Sequence, residues 1–461
     1  MKQGNVFPTD PVEGRESQTL EPLEGKMTGT LGSIDISTKQ KRIADLARKS
    51  PEMMMTNLAH HVDKAWMLAA YRRTRKDGAV GVDGQSAEEY EQNLDENLEA
   101  LLERFKSGRY RAPPVRRVHI PKGDGRTRPI GIPSFEDKIL QRAVCMLLEP
   151  VYEQDFFSCS YGYRPRRSAH LALKALRDGL KRLHGGTVIE LDIVSLFDEL
   201  SHVHLRHFLD RRIRDGVVRR VLGKWLKAGV VDGQTRICSG KGTPQGGVIS
   251  PLLANVYLHE VLDRWFHEIV VPRMRRRCFM IRFADDAALI FESPSDAERV
   301  MKVLAARFAK YDLTLHPEKT KLIDFYRPRN GKRRPDTFNL LGFTLYWGRA
   351  RAGFWNVQVK TAKKRLAVAI KRTTQWCAQN RHKPIADQHQ MLVQQLRGHY
   401  AYFGVSSNYR SLVTFYWRTT SEWRKWLSRR SRRAQMSWPR FLNLLRRYPL
   451  PRPRIVHNLY T

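Results

Sequence analysis

Ile281-Arg282-Phe283-Ala284-Asp285-Asp286-Ala287-Ala288-Leu289-Ile290-Phe291 sets two adjacent carboxylates between two apolar runs. Such runs predict two strands joined by a tight turn over residues 278–291. The aspartates then lie at a sheet edge, close to solvent. Two anions side by side repel unless a cation neutralises them. An Asp-Asp turn is also an ordinary surface turn, so the pair acquires meaning only from its surroundings.

The first of those surroundings is Thr187-Val188-Ile189-Glu190-Leu191-Asp192, a strand candidate that ends on a third carboxylate. A neighbouring strand carrying Asp192 would complete an oxygen-rich site of the kind that hard cations such as Mg²⁺ prefer. Two such ions can activate a hydroxyl nucleophile and stabilise the leaving oxygen, which leaves positioning and charge neutralisation as the protein's main task. Glu190 shares the alternation face of Asp192. The second is Gly242-Thr243-Pro244-Gln245-Gly246-Gly247-Val248-Ile249-Ser250-Pro251-Leu252-Leu253, a glycine-dense loop that ends in a helix start. Glycine lets backbone approach a ligand closely, and Gln245 is a side-chain donor.

Further out, Leu94, Leu98, Leu101, Leu102 and Phe105 repeat at helical spacing, and Val118 and Ile120 begin a strand whose partner returns over 129–133. Residues 121–128 form the basic turn between them. Gly78 to Gly84 is a glycine-rich loop that reads equally as a turn or a phosphate cradle. Residues 201–214 and 251–268 read as helices, and 338–347 as a strand or hairpin. A helical pattern begins near Thr38, so residues 1–36 are expected to be a flexible arm.

Charge narrows the function. The chain has 461 residues, 82 Lys+Arg against 46 Asp+Glu and a net charge of +36. That surplus points to a polyanionic partner, nucleic acid before all others. Over 361–461 there are 21 Lys+Arg and 2 Asp+Glu, a net +19, together with Trp376, Trp417, Trp423, Trp426 and Trp438. This segment reads as a helical domain with a basic outer face, most of its tryptophans in the core. Arg273 to Arg277 is a second basic run, equally read as a solvated loop. The five cysteines form no C-x-x-C pair, so neither zinc nor a disulfide framework is expected, and a reducing cytoplasmic setting is. No segment has the length of apolar sequence a membrane helix needs, and the start of the chain lacks a secretory h-region.

Taken in order, these blocks resemble reverse transcriptases of the group II intron-encoded maturase type, from roughly residue 60 to the end. Phe283-Ala284-Asp285-Asp286 is similar to the family's Tyr-Ala-Asp-Asp box. Asp192 through Asp198 resembles the block with the first metal-binding aspartate, and Gly242 to Leu253 the Pro-Gln-Gly block. Arg128 to Pro133, Tyr161-Gly162-Tyr163-Arg164-Pro165, Arg167 to His170, Gly81 to Gly84, Leu315 to Thr320 and Leu341-Gly342-Phe343 fit further blocks.

The resemblance implies an α+β right-hand polymerase. Its divisions would be a flexible arm (1–36), an N-terminal extension with fingers (37–184), a palm with the catalytic carboxylates (185–350) and a helical thumb and maturase domain (351–461). It implies RNA-directed DNA synthesis from dNTPs, with Asp192, Asp285 and Asp286 holding two Mg²⁺ ions. Lys122 and Arg128 would hold the triphosphate, Gln245 would sit near the incoming nucleotide, and Phe197 would exclude a 2′-hydroxyl. The partners implied are a group II intron RNA and primer or target DNA, with splicing assistance and retrohoming as the biological outcome. A domesticated role in repair or phage defence, or a role mainly as an RNA-splicing cofactor, would use the same residues. Phe283 departs from the commoner tyrosine and removes one hydroxyl. The cysteine pairs of a zinc-linked endonuclease domain are missing, so second-strand cleavage is not expected of these residues.

Overall fold

The computed structural model describes residues 31–121, 127–233, 235–237, 240–243, 246–328, 335–350, 352–431 and 435–460. Lys122, Gln245 and the expected arm up to residue 30 lie outside them.

The N-terminal half is mostly helical: α1 (Leu31–Lys49), α2 (Lys64–Arg72), α3 (Ala87–Glu91) and α4 (Leu94–Ser107), then β1 (Val115–Pro121) and β2 (Thr127–Ile132), then α5 (Phe135–Asp155) and α6 (Ala169–Arg182). The first helix starts at Leu31, earlier than the pattern near Thr38 suggested, and Ile36 within it is buried. Ser134 and Ser168 cap α5 and α6 by accepting from Asp137 N and Leu171 N at 3.2 Å each. The glycine-rich loop before α3 is used for packing. A Cβ on Gly81 would lie 2.5 Å from Ser134 Cα, while the carbonyls of Ala79 and Val80 accept from Lys138 and Arg116.

The middle of the chain contributes β3 (Thr187–Leu191), α7 (Leu196–Glu199), α8 (His202–Asp210), α9 (Gly216–Lys227), β4 (Val230–Asp232), β5 (Thr235–Ile237), α10 (Ser250–Leu258), β6 (Cys278–Phe283), β7 (Asp286–Phe291), α11 (Pro294–Ala309) and β8 (Lys321–Asp324). Past Leu258 the predicted helix widens into π-helical turns over His259–Asp263 and Trp265–Val270. Such turns are rare and have no signature in apolar spacing.

Two sheets matter for the site. The central one has the order β6-β7-β3-β8 and is antiparallel throughout. Its two faces feed different cores. Ile189, Leu191, Met280, Leu289 and Phe291 join the core under α5 and α10, whereas Val188, Ile281, Phe283, Ala288 and Ile290 join the core under α6. Burial on both faces explains why these strands read as continuous apolar runs without polar alternation. The second sheet has the order β2-β1-β4-β5, with β1 antiparallel to β2 and parallel to β4.

The C-terminal part has a three-stranded sheet of β9 (Phe338–Leu340), β10 (Phe343–Arg349) and β11 (Trp355–Thr361), followed by α12 (Lys363–Gln379), α13 (Ile385–Phe403), α14 (Tyr409–Leu427) and α15 (Trp438–Arg447). Leu392, Leu396 and Tyr400 fill the bundle core as their spacing predicts. Most of the five tryptophans do the same. Trp423 is fully buried and Trp376 and Trp426 are packed against the core, but Trp417 and Trp438 are 57% and 44% exposed. Basic neighbours account for part of this, since Arg424 lies 4.4 Å over the Trp438 ring. Mixed sheets with flanking helices make the whole an α+β fold. No helix among the described residues is long and apolar enough to cross a membrane.

Candidate active site

The hairpin β6–β7 closes through Ala284 and Asp285, with Phe283 paired to Asp286. Ala284 has φ 56°, a left-handed value that favours glycine, so surrounding contacts must impose it. They are found one layer below. Arg282, fully buried, grips Asp263 from the π-helical turn through Nε at 2.8 Å and Nη2 at 2.6 Å. It also donates to Asn255 Oδ1 (3.0 Å), Ser160 Oγ (2.8 Å) and the carbonyl of Ala284 itself (3.1 Å). Asn255 in turn donates to the carbonyl of Gly162 at 2.7 Å. A Cβ on Gly162 would stand 2.3 Å from Ala284 N. The Asp-Asp turn therefore rests on Gly162 from one side and hangs on Arg282 from the other.

Asp192 approaches by strand register. Leu191 on β3 pairs with Ala287 on β7, so the next pair in that register is Asp192 with Asp286. All three aspartates are half-buried at this end of the central sheet. The loop after α11 wraps Asp192: His316 N donates to its carbonyl at 2.9 Å, and Lys319 Nζ lies 2.8 Å from its Oδ2. Glu190, two residues back on the same face, is half-buried, which raises its carboxyl above the usual range, and faces Lys321 at 3.7 Å. Among the described residues no three His, Cys, Asp or Glu side chains converge into a ready metal cage. The aspartates share one end of the central sheet without closing on a point, and the Lys319 ammonium supplies positive charge beside Asp192. The chemistry of the donor set, carboxylate oxygens on rigid strands and partly open to solvent, fits hard divalent cations.

The described residues of the glycine run pack on α7 and β2. Gly242 (φ 87°) sits where a Cβ would meet the Asp198 carbonyl at 2.8 Å, and Thr243 N donates to the Phe197 carbonyl at 2.7 Å. Gly246 (φ 108°) lies against β2, its Cβ position 2.5 Å from the Gly131 carbonyl. The loop thus bridges α7, which carries Phe197, and β2, which carries half-buried Arg128. Phe197 is itself 7% exposed and is part of the core under α5 and α10. Asp198 and Glu199 occupy the first turn of α7, where carboxylates suit a helix N-terminus. Behind the loop runs a buried relay. Gln141 accepts from Ile249 N at 3.2 Å and donates to Asp137 at 2.9 Å, while Tyr110 and Trp225 donate to the other Asp137 oxygen. Burial pushes the Asp137 carboxyl up to about 6 even with those donors.

Sequence reading missed Arg282, Asp263, Asn255 and Lys319. For Arg282 a signal was present: a guanidinium inside an otherwise apolar strand demands a buried partner. A test of the support is Gly162→Ala. The added methyl meets backbone, which cannot swing aside, and a shift of about 1 Å at reacting groups costs on the order of 10²-fold. The single-turnover rate of the reaction at this turn should fall by about that factor. Gly398→Ala, with nothing within 4 Å of its Cβ position, should leave the rate unchanged.

Comparison with known proteins bears on this geometry. Residues 120–345 match the family described as Reverse transcriptase (RNA-dependent DNA polymerase). The chain is 38% identical over 240 residues to Protein YkfC of Escherichia coli (strain K12), covering 50% of this chain and 63% of that protein. It is 42% identical over 174 residues to the Group II intron-encoded protein LtrA of Lactococcus lactis subsp. cremoris, covering 37% and 28%. Nuclear intron maturase 2, mitochondrial, of Arabidopsis thaliana is 27% identical over 170 residues, covering 28% and 23%. In each case the match spans less than two thirds of the relative's own length. The stretch that matches the reverse transcriptase family contains every strand and loop that carries the carboxylates, so residues 120–345 form a reverse transcriptase domain, similar in sequence to group II intron-encoded proteins.

Proposed function

We propose that the chain is an RNA-directed DNA polymerase that adds dNMP to a primer 3′-hydroxyl, with Asp192, Asp285 and Asp286 as ligands for two Mg²⁺ ions. The observation that carries this reading is the β3–β7 register, which ends with Leu191 opposite Ala287 and so leaves Asp192 and Asp286 as the next residues at one sheet end, beside a turn braced from below. When bound, the ions supply a Lewis acid for the transferred phosphoryl group and a lowered pKa at the attacking hydroxyl. The residues do the rest. The rigid strands orient the carboxylates, and Lys319, beside Asp192, balances charge until cations arrive. Arg128, with Lys122 and Gln245, binds the triphosphate and base end of the nucleotide, and Phe197 closes the site against a 2′-hydroxyl.

The net charge of +36 and the basic C-terminal helices support binding of a folded RNA. The likeness of the chain to intron-encoded relatives supports a group II intron RNA as that partner, with splicing assistance and copying of the intron as its consequence. Purified protein should extend a DNA primer on an RNA template with dNTPs and stop when Mg²⁺ is chelated. Failure to copy any RNA template would overturn the polymerase reading. The RNA that co-purifies from the native cell tests the partner: one structured RNA around the reading frame supports the intron, and a diverse mixture overturns it.

Sugar selection gives a narrower test. Phe197→Leu keeps an apolar body in the core and opens room beside the sugar. Incorporation of rNTP relative to dNTP should rise by roughly 10-fold or more, the scale of a lost steric contact. An unchanged ratio would assign Phe197 to the core alone.

A further inference from the structure

The central sheet has a second end. β6 runs from Cys278 to Phe283, so Arg277 lies about 20 Å from the Asp-Asp turn at the usual rise per residue. At that far end Arg273, Arg275, Arg276 and Arg277 are all exposed. A solvated loop would leave them loosely held, and this one is clamped. Arg275 N and Arg276 N both donate to Asp296 Oδ2, at 3.0 and 3.2 Å, and Asp296 is 1% exposed. Arg277 pairs with Glu292 at 3.0 Å. Among the described residues neither Arg275 nor Arg276 has a carboxylate within ion-pairing distance, and with Arg277 and Glu292 they line one open depression. The same sheet end exposes His184 and Arg327, whose backbones are joined by a 2.9 Å hydrogen bond.

We propose that this end of the sheet is a second nucleic-acid surface, which grips the phosphate backbone of a folded RNA helix while the carboxylate end stays open to primer and template. The proposal rests on the polymerase reading only for what occupies the carboxylate end. Guanidinium forks match phosphate oxygens in pairs, and double-stranded RNA is held through its phosphates and shape rather than its base edges. Clamping the backbone presents the forks at little ordering cost. A platform remote from the carboxylates lets one molecule hold the RNA it belongs to while copying a strand. Ile269 and Val271, 44% and 37% exposed beside the loop, make an anionic membrane surface the competing partner.

The probe is a labelled, blunt RNA hairpin of about 16 base pairs, a length that spans two successive minor grooves, titrated by fluorescence anisotropy across a salt series. The triple variant Arg273→Gln, Arg275→Gln, Arg276→Gln should lose about tenfold or more in affinity near physiological salt. Its slope of log K against log salt should fall by roughly 2 to 3, the counterions of the lost phosphate contacts. Primer extension on a short primer–template should be unchanged, and the matching triple lysine variant should keep the slope. Unchanged affinity and slope would return the loop to solvent and overturn the proposal. Loss of extension in step with binding would place the arginines in the cleft instead and overturn it too. Weaker binding to phosphatidylserine vesicles with RNA binding intact would assign the surface to lipid. Arginine-dependent hairpin binding by a chain that copies no template would support this surface while sinking the polymerase reading.

Discussion

Asp192→Asn, Asp285→Asn and Asp286→Asn should each remove templated extension, by about 10³-fold or more, while leaving RNA affinity intact. Each amide keeps the size of the side chain and removes the anion that a divalent cation needs. Metal stabilisation of a transferring phosphoryl group amounts to several kcal/mol, and about 4 kcal/mol corresponds to roughly 10³ in rate. Folding should survive, because all three positions are half-buried at a sheet edge and none anchors the core. Binding should survive because phosphate contacts come from lysine and arginine, and removing an anion from a nucleic-acid cleft does not weaken them. Asp192→Asn has one further consequence, since it removes the negative charge that Lys319 pairs with at 2.8 Å. Single-turnover rates beside hairpin-RNA affinities measure both halves. A variant that extends primers at full rate would remove its aspartate from the site.

Arg282→Met should cost about 3–5 kcal/mol of stability, because it leaves the Asp263 carboxylate buried without its partner. Both side chains are fully buried, so water cannot take over the lost bonds. The double variant Arg282→Met, Asp263→Leu removes both charges, and exchanging a buried pair for apolar side chains of similar volume is often neutral. Most of the lost stability should return. Activity should not, because Ala284 and Ser160 still lack the donor that holds the turn in its left-handed conformation. Urea midpoints and extension rates on the same preparations separate the two effects. A single variant within about 1 kcal/mol of the parent would show that the pair is not what supports the hairpin. A double variant with full activity would show that the turn holds its shape without Arg282.

The strands around the carboxylates were legible because they are buried on both faces and bounded by turns, so apolar runs mark them out. Their type and ends followed from Ile281 to Phe291 and from Thr187 to Asp192. The register that sets Asp192 against Asp286 was not legible from local pattern, since it is a pairing between segments nearly a hundred residues apart. The parallel pairing of β1 with β4 was hidden for the same reason. The π-helical turns were invisible because Val261, Leu262 and Phe266 are buried on spacings an α-helix also allows. Most tryptophans of the C-terminal bundle lie in or against its core, but type alone does not distinguish core Trp423 from exposed Trp417. Lys122 and Gln245, expected at the nucleotide, lie outside the described residues.

The most direct test of the account is to count metal ions. In a complex of the chain with an RNA template, a 3′-deoxy-terminated DNA primer and the matching dNTP, Mn²⁺ can stand in for Mg²⁺ and be counted by electron paramagnetic resonance. The account predicts about two bound ions per chain, falling to one or none with Asp285→Asn or Asp192→Asn while primer–template remains bound. The same count in the parent and in both variants would contradict the assignment of these carboxylates as the ligands.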